Sequence, residues 1–133
     1  MKTNYQELKK EKEDRFTALM NECRMFFAFS NEQFTANKTQ KEPDEKYLSI
    51  GAGSYMPKSC YPKWESGSKE INKWYKSTLK SKKLSETDIL FELNNHEAFY
   101  TGDLSYTFDA LEGRYTHEQI REVYNKYRGQ FED

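Results

Sequence analysis

Met25-Phe26-Phe27-Ala28-Phe29 is an uncharged, mostly aromatic run in a chain of 133 residues of which 32% are charged. It is too short for an amphipathic helix, and its aromatic content favours a buried strand. Ser30 or Asn31 then caps a short helix from Asn31 to Asn37. Lys38 to Glu45 is polar, carries Pro43 and reads as a loop. Tyr47 to Ile50 is a second strand, ended by Gly51-Ala52-Gly53, and Tyr55-Met56 is a third. Three short strands are not stable alone in water, so helices must cover one face of this sheet.

Helices are expected on both sides of the sheet in sequence. Tyr5, Leu8, Phe16, Leu19 and Met20 recur at helical spacing across residues 4–22, with a wholly polar middle turn from Lys9 to Arg15. Pro57 and Pro62 bracket a non-helical stretch. Ser68 caps a helix from Lys69 to about Lys82 with an apolar stripe of Ile71, Trp74, Tyr75 and Leu79. Ser85-x-x-Asp88 resembles a capping box for a further helix, with Ile89, Leu90, Phe91 and Leu93 facing inward. Asp103 opens a one- to two-turn helix through Leu111, stopped by Gly113. Thr116-x-x-Gln119 is a full capping box, and its helix carries the stripe Ile120, Val123, Tyr124 and Tyr127. The expected fold is α+β and mostly helical, with a small antiparallel sheet of two to three short strands covered by helices. It forms one domain over 1–133: an N-terminal helix at about 4–22, a sheet region at about 24–57 and a helical half at about 68–129.

Ten Tyr, nine Phe and two Trp stand against four Ile, nine Leu and the single Val123. Rings are therefore expected to supply both the core and any adhesive surface, since Tyr serves in both. Cys23 and Cys60 give no disulfide framework. The first 20 residues lack an apolar signal stretch, and no run approaches a membrane span. The expected setting is a reducing cytoplasm, with no membrane contact and no cofactor.

A net charge of −1 conceals segregation. Residues 58–83 hold eight Lys and two Glu, net +6; residues 84–118 hold Arg114 and eight acids, net −7. Lys69, Lys73, Lys76, Lys80 and Lys83 recur at helical spacing as one stripe, with Trp64 nearby. Lysine rows beside rings suit phosphate backbones and stacked bases, although a solvated helix face explains the same pattern. The acidic segment offers a partner-binding face through Glu97, Phe99, Tyr100, Asp103, Tyr106, Asp109 and Tyr115: carboxylates interleaved with aromatic anchors, able to enter a basic groove. It could also fold against the lysine stripe and neutralise it.

Three chemical constellations are weaker. Asp88, Glu92 and His96 fall at i, i+4 and i+8, with Glu97, Asp103 and His117 available to complete a metal site for a small nuclease or hydrolase. HExxH is absent because position 100 is Tyr, and a Glu–His pair one turn apart is ordinarily a local hydrogen bond. A Cys–His dyad from Cys23 or Cys60 has no local signature. Gly51-Ala52-Gly53-Ser54 lacks the third glycine and the Lys of phosphate loops, so a tight turn with positive φ is the simpler account.

Phe26-Phe27-Ala28-Phe29-Ser30-Asn31-Glu32-Gln33-Phe34, Ile50-Gly51-Ala52-Gly53 and Glu92-Leu93-Asn94-Asn95-His96-Glu97 together resemble a family of small proteins encoded by bacteriophages and prophages. The similarity spans roughly residues 20–112 and carries no catalytic residue. It implies a small intracellular accessory protein, of a kind that often inhibits host defence, including CRISPR effectors. The resulting expectation is an interaction protein that inhibits a host defence nucleoprotein, such as an RNA-guided nuclease, without chemistry of its own. An RNA- or DNA-binding module using the lysine stripe is the alternative.

Overall fold

The computed structural model describes residues 4–130 and shows a mostly helical α+β protein with a three-stranded antiparallel sheet. The chain divides into two compact units. One spans Gln6–Tyr75; the other takes Asn4, Tyr5 and, among the described residues, Lys76–Gln130.

The first unit contains most of α1 (Asn4–Glu22), then β1 (Phe26–Phe27), α2 (Asn31–Asn37), β2 (Tyr47–Gly51), β3 (Ser54–Pro57), a 3-10 turn at Lys58–Cys60 and α3 (Tyr61–Ser81) as far as Tyr75. Strand order is β1-β3-β2, with Phe26 opposite Tyr55, and Leu48 opposite Met56. Alternation along β3 sends Met56 and Tyr55 to opposite faces. Met56 is buried among Leu19, Cys23 and Ile71, on which Phe16, Trp64 and Trp74 also pack. On the Tyr55 side, Phe26, Phe34, Tyr47 and Tyr55 form a ring cluster with centroid separations between 5.1 and 5.6 Å. Each such pair adds about 0.5–1.5 kcal/mol beyond area burial. Ser30 caps α2 by accepting the Gln33 N–H, as its sequence position suggests.

Two glycines are set by geometry. Ala52 and Gly53, between the paired Gly51 and Ser54, have φ of +51° and +78°, as a two-residue type I′ hairpin turn requires. Gly51-Ala52-Gly53 is thus a turn, and no helix follows it to cradle a phosphate. Gly67 sits inside α3, where a Cβ would lie 2.7 Å from Leu19 Cδ1. Close approach of α1 and α3 accounts for an otherwise unfavourable helical glycine.

In the second unit, the end of α3 leads to α4 (Ser85–Asn95), α5 (Ala98–Thr101), α6 (Ser105–Ala110), α7 (His117–Tyr127) and a 3-10 turn at Arg128–Gln130. Ile89, Leu93, Ala98, Leu111, Ile120 and Val123 form its core. Thr116 and Gln119 make the complete capping box of α7. The C-terminal end of α3 closes with Lys83 in the left-handed region, φ +58°. Lys83 N–H donates to the Lys80 carbonyl and Leu84 N–H to the Leu79 carbonyl, the paired bonds of a Schellman motif.

Several expectations are corrected. The Met25–Phe29 strand is only Phe26–Phe27. Helix α3 starts at Tyr61, because Pro62 falls in the first turn, where its missing N–H costs nothing. Ser68 is therefore interior, and its hydroxyl donates back to the Trp64 carbonyl. Leu84, with no side-chain bond, precedes α4, so Ser85 and Asp88 make no capping box. Phe91 is 39% exposed rather than inward. Asp103 lies before α6 rather than opening it. Among the described residues only Tyr5, Phe26 and Tyr75 are buried rings, so aliphatic side chains form most of the innermost core.

Candidate functional site

Lys69, Lys73, Lys76 and Lys80 are exposed on α3, whereas Lys83 lies beyond its end. Lys69 pairs with Glu65 at 3.2 Å within the helix. Lys76 Nζ donates to the Gly113 carbonyl at 3.0 Å and helps hold the turn before α7. Trp64 is on the opposite, apolar stripe with Ile71, its ring 6.1 Å from that of Phe16. The lysine row is therefore presented without the ring expected to stack beside it.

Asp88 is 1% exposed and serves as a structural anchor. Its Oδ1 accepts the Tyr5 hydroxyl at 2.7 Å; its Oδ2 accepts Arg114 Nη1 at 2.8 Å and the Tyr115 hydroxyl at 3.0 Å. Burial, then the Asp88 charge, pushes the Tyr115 hydroxyl well above the ordinary tyrosine range. Glu92 Oε2 stands 3.2 Å from His96 Nε2, whereas His117 lies flat on Phe108 with centroids 4.0 Å apart. Asp103 Oδ1 accepts both the Ser105 N–H and hydroxyl, which lower its pKa. Glu92 and His96 thus contact each other, Asp88, Asp103 and His117 each serve a different contact, and Glu97 is exposed. No group of three or more His, Cys, Asp or Glu among the described residues is arranged to hold a metal ion. Cys23 and Cys60 belong to the first unit's core, and burial raises the Cys23 thiol pKa, which lowers its nucleophilicity at neutral pH.

The stretch 97–110 presents a different arrangement. Ala98 is fully buried and Phe99 stacks on Tyr124 at 5.2 Å, tying α5 to the core from below. Gly102, φ +75°, ends α5 with its N–H on the Ala98 carbonyl. Leu104 and Phe108 pack on the same core, and Thr107 is buried. On this pinned backbone Tyr100 is 95% exposed and Tyr106 is 63% exposed. The His96 ring lies near-parallel to Tyr106, 6.3 Å away and 20° from coplanar, while its Nε2 faces Glu92. Glu97, Asp103 and Asp109 are exposed around the two rings. Of the seven side chains expected to meet a partner, five therefore face solvent, while Phe99 and Tyr115 serve the core and the Asp88 anchor.

Sequence reasoning missed two exposed rings in the first unit, Phe27 at 48% and Phe29 at 76%. Phe29 lies over Gly53, where an added Cβ would come within 2.3 Å of its ring. Its N–H donates to the Gln33 side chain. No local signal marked its exposure, because a ring just before the Ser30 cap is expected to pack on the helix. The local Glu92–His96 contact was expected from the spacing of the two residues, whereas the near-parallel placement of the His96 and Tyr106 rings was not.

A family model, a family of unknown function (DUF7659), matches residues 5–130. No curated protein and no solved structure matches the chain.

Proposed function

The chain belongs to the family of unknown function DUF7659, and we propose that it is an interaction protein without chemistry of its own, docking a macromolecular partner through the α5–α6 surface. The observation that carries this is Tyr100 at 95% and Tyr106 at 63% exposure on a backbone anchored by buried Ala98 and stacked Phe99. Rigid rings lose little conformational entropy on docking, and a buried Tyr at an interface centre is commonly worth about 2 kcal/mol or more. The likeness of residues 26–34, 50–53 and 92–97 to phage-encoded proteins supports a finer version. In it the chain is phage-encoded, acts in the host cytoplasm, and inhibits a host defence nucleoprotein such as an RNA-guided nuclease. The test is affinity capture from host lysate with the wild-type chain and with Tyr100→Ala/Tyr106→Ala. The proposal expects a nucleoprotein on the wild type only. Recovery of no protein or ribonucleoprotein, or equal recovery on both baits, defeats it.

Exposure of Lys69, Lys73, Lys76 and Lys80 along one helix favours a second reading, direct RNA or DNA binding. That reading requires affinity that falls steeply with salt and is lost in Lys73→Glu/Lys80→Glu. Undetectable binding at low salt eliminates it.

A further inference from the structure

We infer that the partner element seated on α5–α6 is a cationic protein segment that contributes arginine side chains; this rests on the docking reading above. Each exposed ring has an exposed carboxylate three residues away in the chain. Glu97 precedes Tyr100 by three residues, and the Tyr100 N–H closes that turn on the Glu97 carbonyl. Asp109 follows Tyr106 by three residues within α6, and Asp103 precedes it by three in the segment that leads into the helix. The one Lys or Arg in residues 97–118 is Arg114, and its guanidinium is committed to Asp88 at 2.8 Å. That stretch thus supplies no free cation to the three carboxylates. Ser105 keeps Asp103 ionised by bonding its charged form.

Sign and shape together select the occupant. A phosphate backbone would be repelled here, whereas Lys and Arg side chains would be drawn in and steered. Between those two, open tyrosine faces favour the planar guanidinium, which stacks as well as pairing with carboxylate. The chain already shows this chemistry internally: Arg15 lies 3.6 Å above the Trp74 ring, and Arg121 lies 5.3 Å from the Phe108 ring centre. The His96 ring lies near-parallel to Tyr106 at 6.3 Å, beside the ring that would receive the guanidinium.

Fluorescence anisotropy of the full chain with labelled short oligo-arginine, oligo-lysine and oligo-glutamate peptides tests this. The wild type should bind oligo-arginine about fivefold to tenfold more tightly than oligo-lysine, two ring contacts' worth, and should not bind oligo-glutamate. Tyr100→Ala/Tyr106→Ala should abolish the arginine preference, and Tyr100→Phe/Tyr106→Phe should keep it. Glu97→Gln/Asp103→Asn/Asp109→Asn should weaken both cationic peptides about tenfold at low salt, with little difference near 0.5 M, roughly where screening removes exposed charge. All the altered side chains face solvent, and circular dichroism checks that each variant folds. Equal affinity for arginine and lysine peptides, a preference that survives the alanine pair, or an unaffected neutralised variant overturns the inference. Suppose a captured host partner is lost with the alanine pair but held equally by the neutralised triple variant. The docking reading then stands and the cationic partner is refuted; if the wild type captures nothing, the docking reading itself fails.

Discussion

Replacing Asp88 by Asn should unfold the second unit far more readily than any exchange on its surface. The side chain is 1% exposed and is the common acceptor for Tyr5, Arg114 and Tyr115 at 2.7, 2.8 and 3.0 Å. Asn is nearly isosteric, so no cavity opens. It removes the charge, however, and turns one acceptor into a donor facing donors. The Arg114 side chain, 21% exposed, then loses its counter-ion. Breaking a buried pair costs about 3–5 kcal/mol. Because Asn keeps one oxygen for a tyrosine hydroxyl, we expect the lower end, about 3 kcal/mol, or roughly 10–15 °C in Tm for a chain of this size. Urea denaturation followed by far-ultraviolet circular dichroism measures it. Tyr5→Phe, which removes one bond to a charged acceptor, should cost about 1.5–3 kcal/mol. Asp88→Asn and Arg114→Met combined should cost less than their sum by about 1 kcal/mol or more, since each removes the same ion pair. A loss below about 1 kcal/mol for Asp88→Asn would show that the network is solvated and anchors nothing.

Gly67→Ala gains about 1 kcal/mol of helix propensity, but its Cβ meets Leu19 at 2.7 Å; a net loss of about 1–2 kcal/mol in chemical denaturation is expected. Lys83→Gly relieves a left-handed residue at a Schellman position and should raise stability by up to about 1 kcal/mol in the same assay. Tyr115 has a folded pKa raised above its ordinary value of 10, by burial first and by the Asp88 charge next. The folded state thus holds this proton more tightly than the unfolded one. The stability it contributes is fully present below about pH 10 and is lost as pH rises past that value. Tyr115→Phe should therefore show a shallower fall in urea midpoint than the wild type between about pH 9 and 11.

What was legible in the sequence followed from local signals. Alternating and helical spacings placed α1 and α7, Ser30 and Thr116 marked two caps, and glycines with positive φ marked the hairpin. What was not legible depended on tertiary contacts. Asp88 looks like a capping residue, but its carboxylate is drawn to Tyr5, 83 positions away, which no local rule anticipates. Pro62 looked like a barrier to helix, yet a first-turn position tolerates it. The aromatic excess suggested a core of rings. Packing instead buried compact aliphatic side chains at the centre and left most rings around it, where one edge meets solvent. Exposure of Tyr100 and Tyr106 could be framed from the charge pattern, whereas the packing of Phe99 against the core beside them could not, because adjacent residues on a four-residue helix face different environments.

The most direct measurement is amide hydrogen exchange of the full chain, free and bound to the partner captured from host lysate. The account predicts slowed exchange concentrated in residues 97–110, with Phe27–Phe29, the Gly51–Gly53 turn and the exposed face of α3 unchanged. Protection confined to the Phe27–Phe29 region, or to α3 along Lys69–Lys80, with residues 97–110 exchanging as in the free chain, would contradict it.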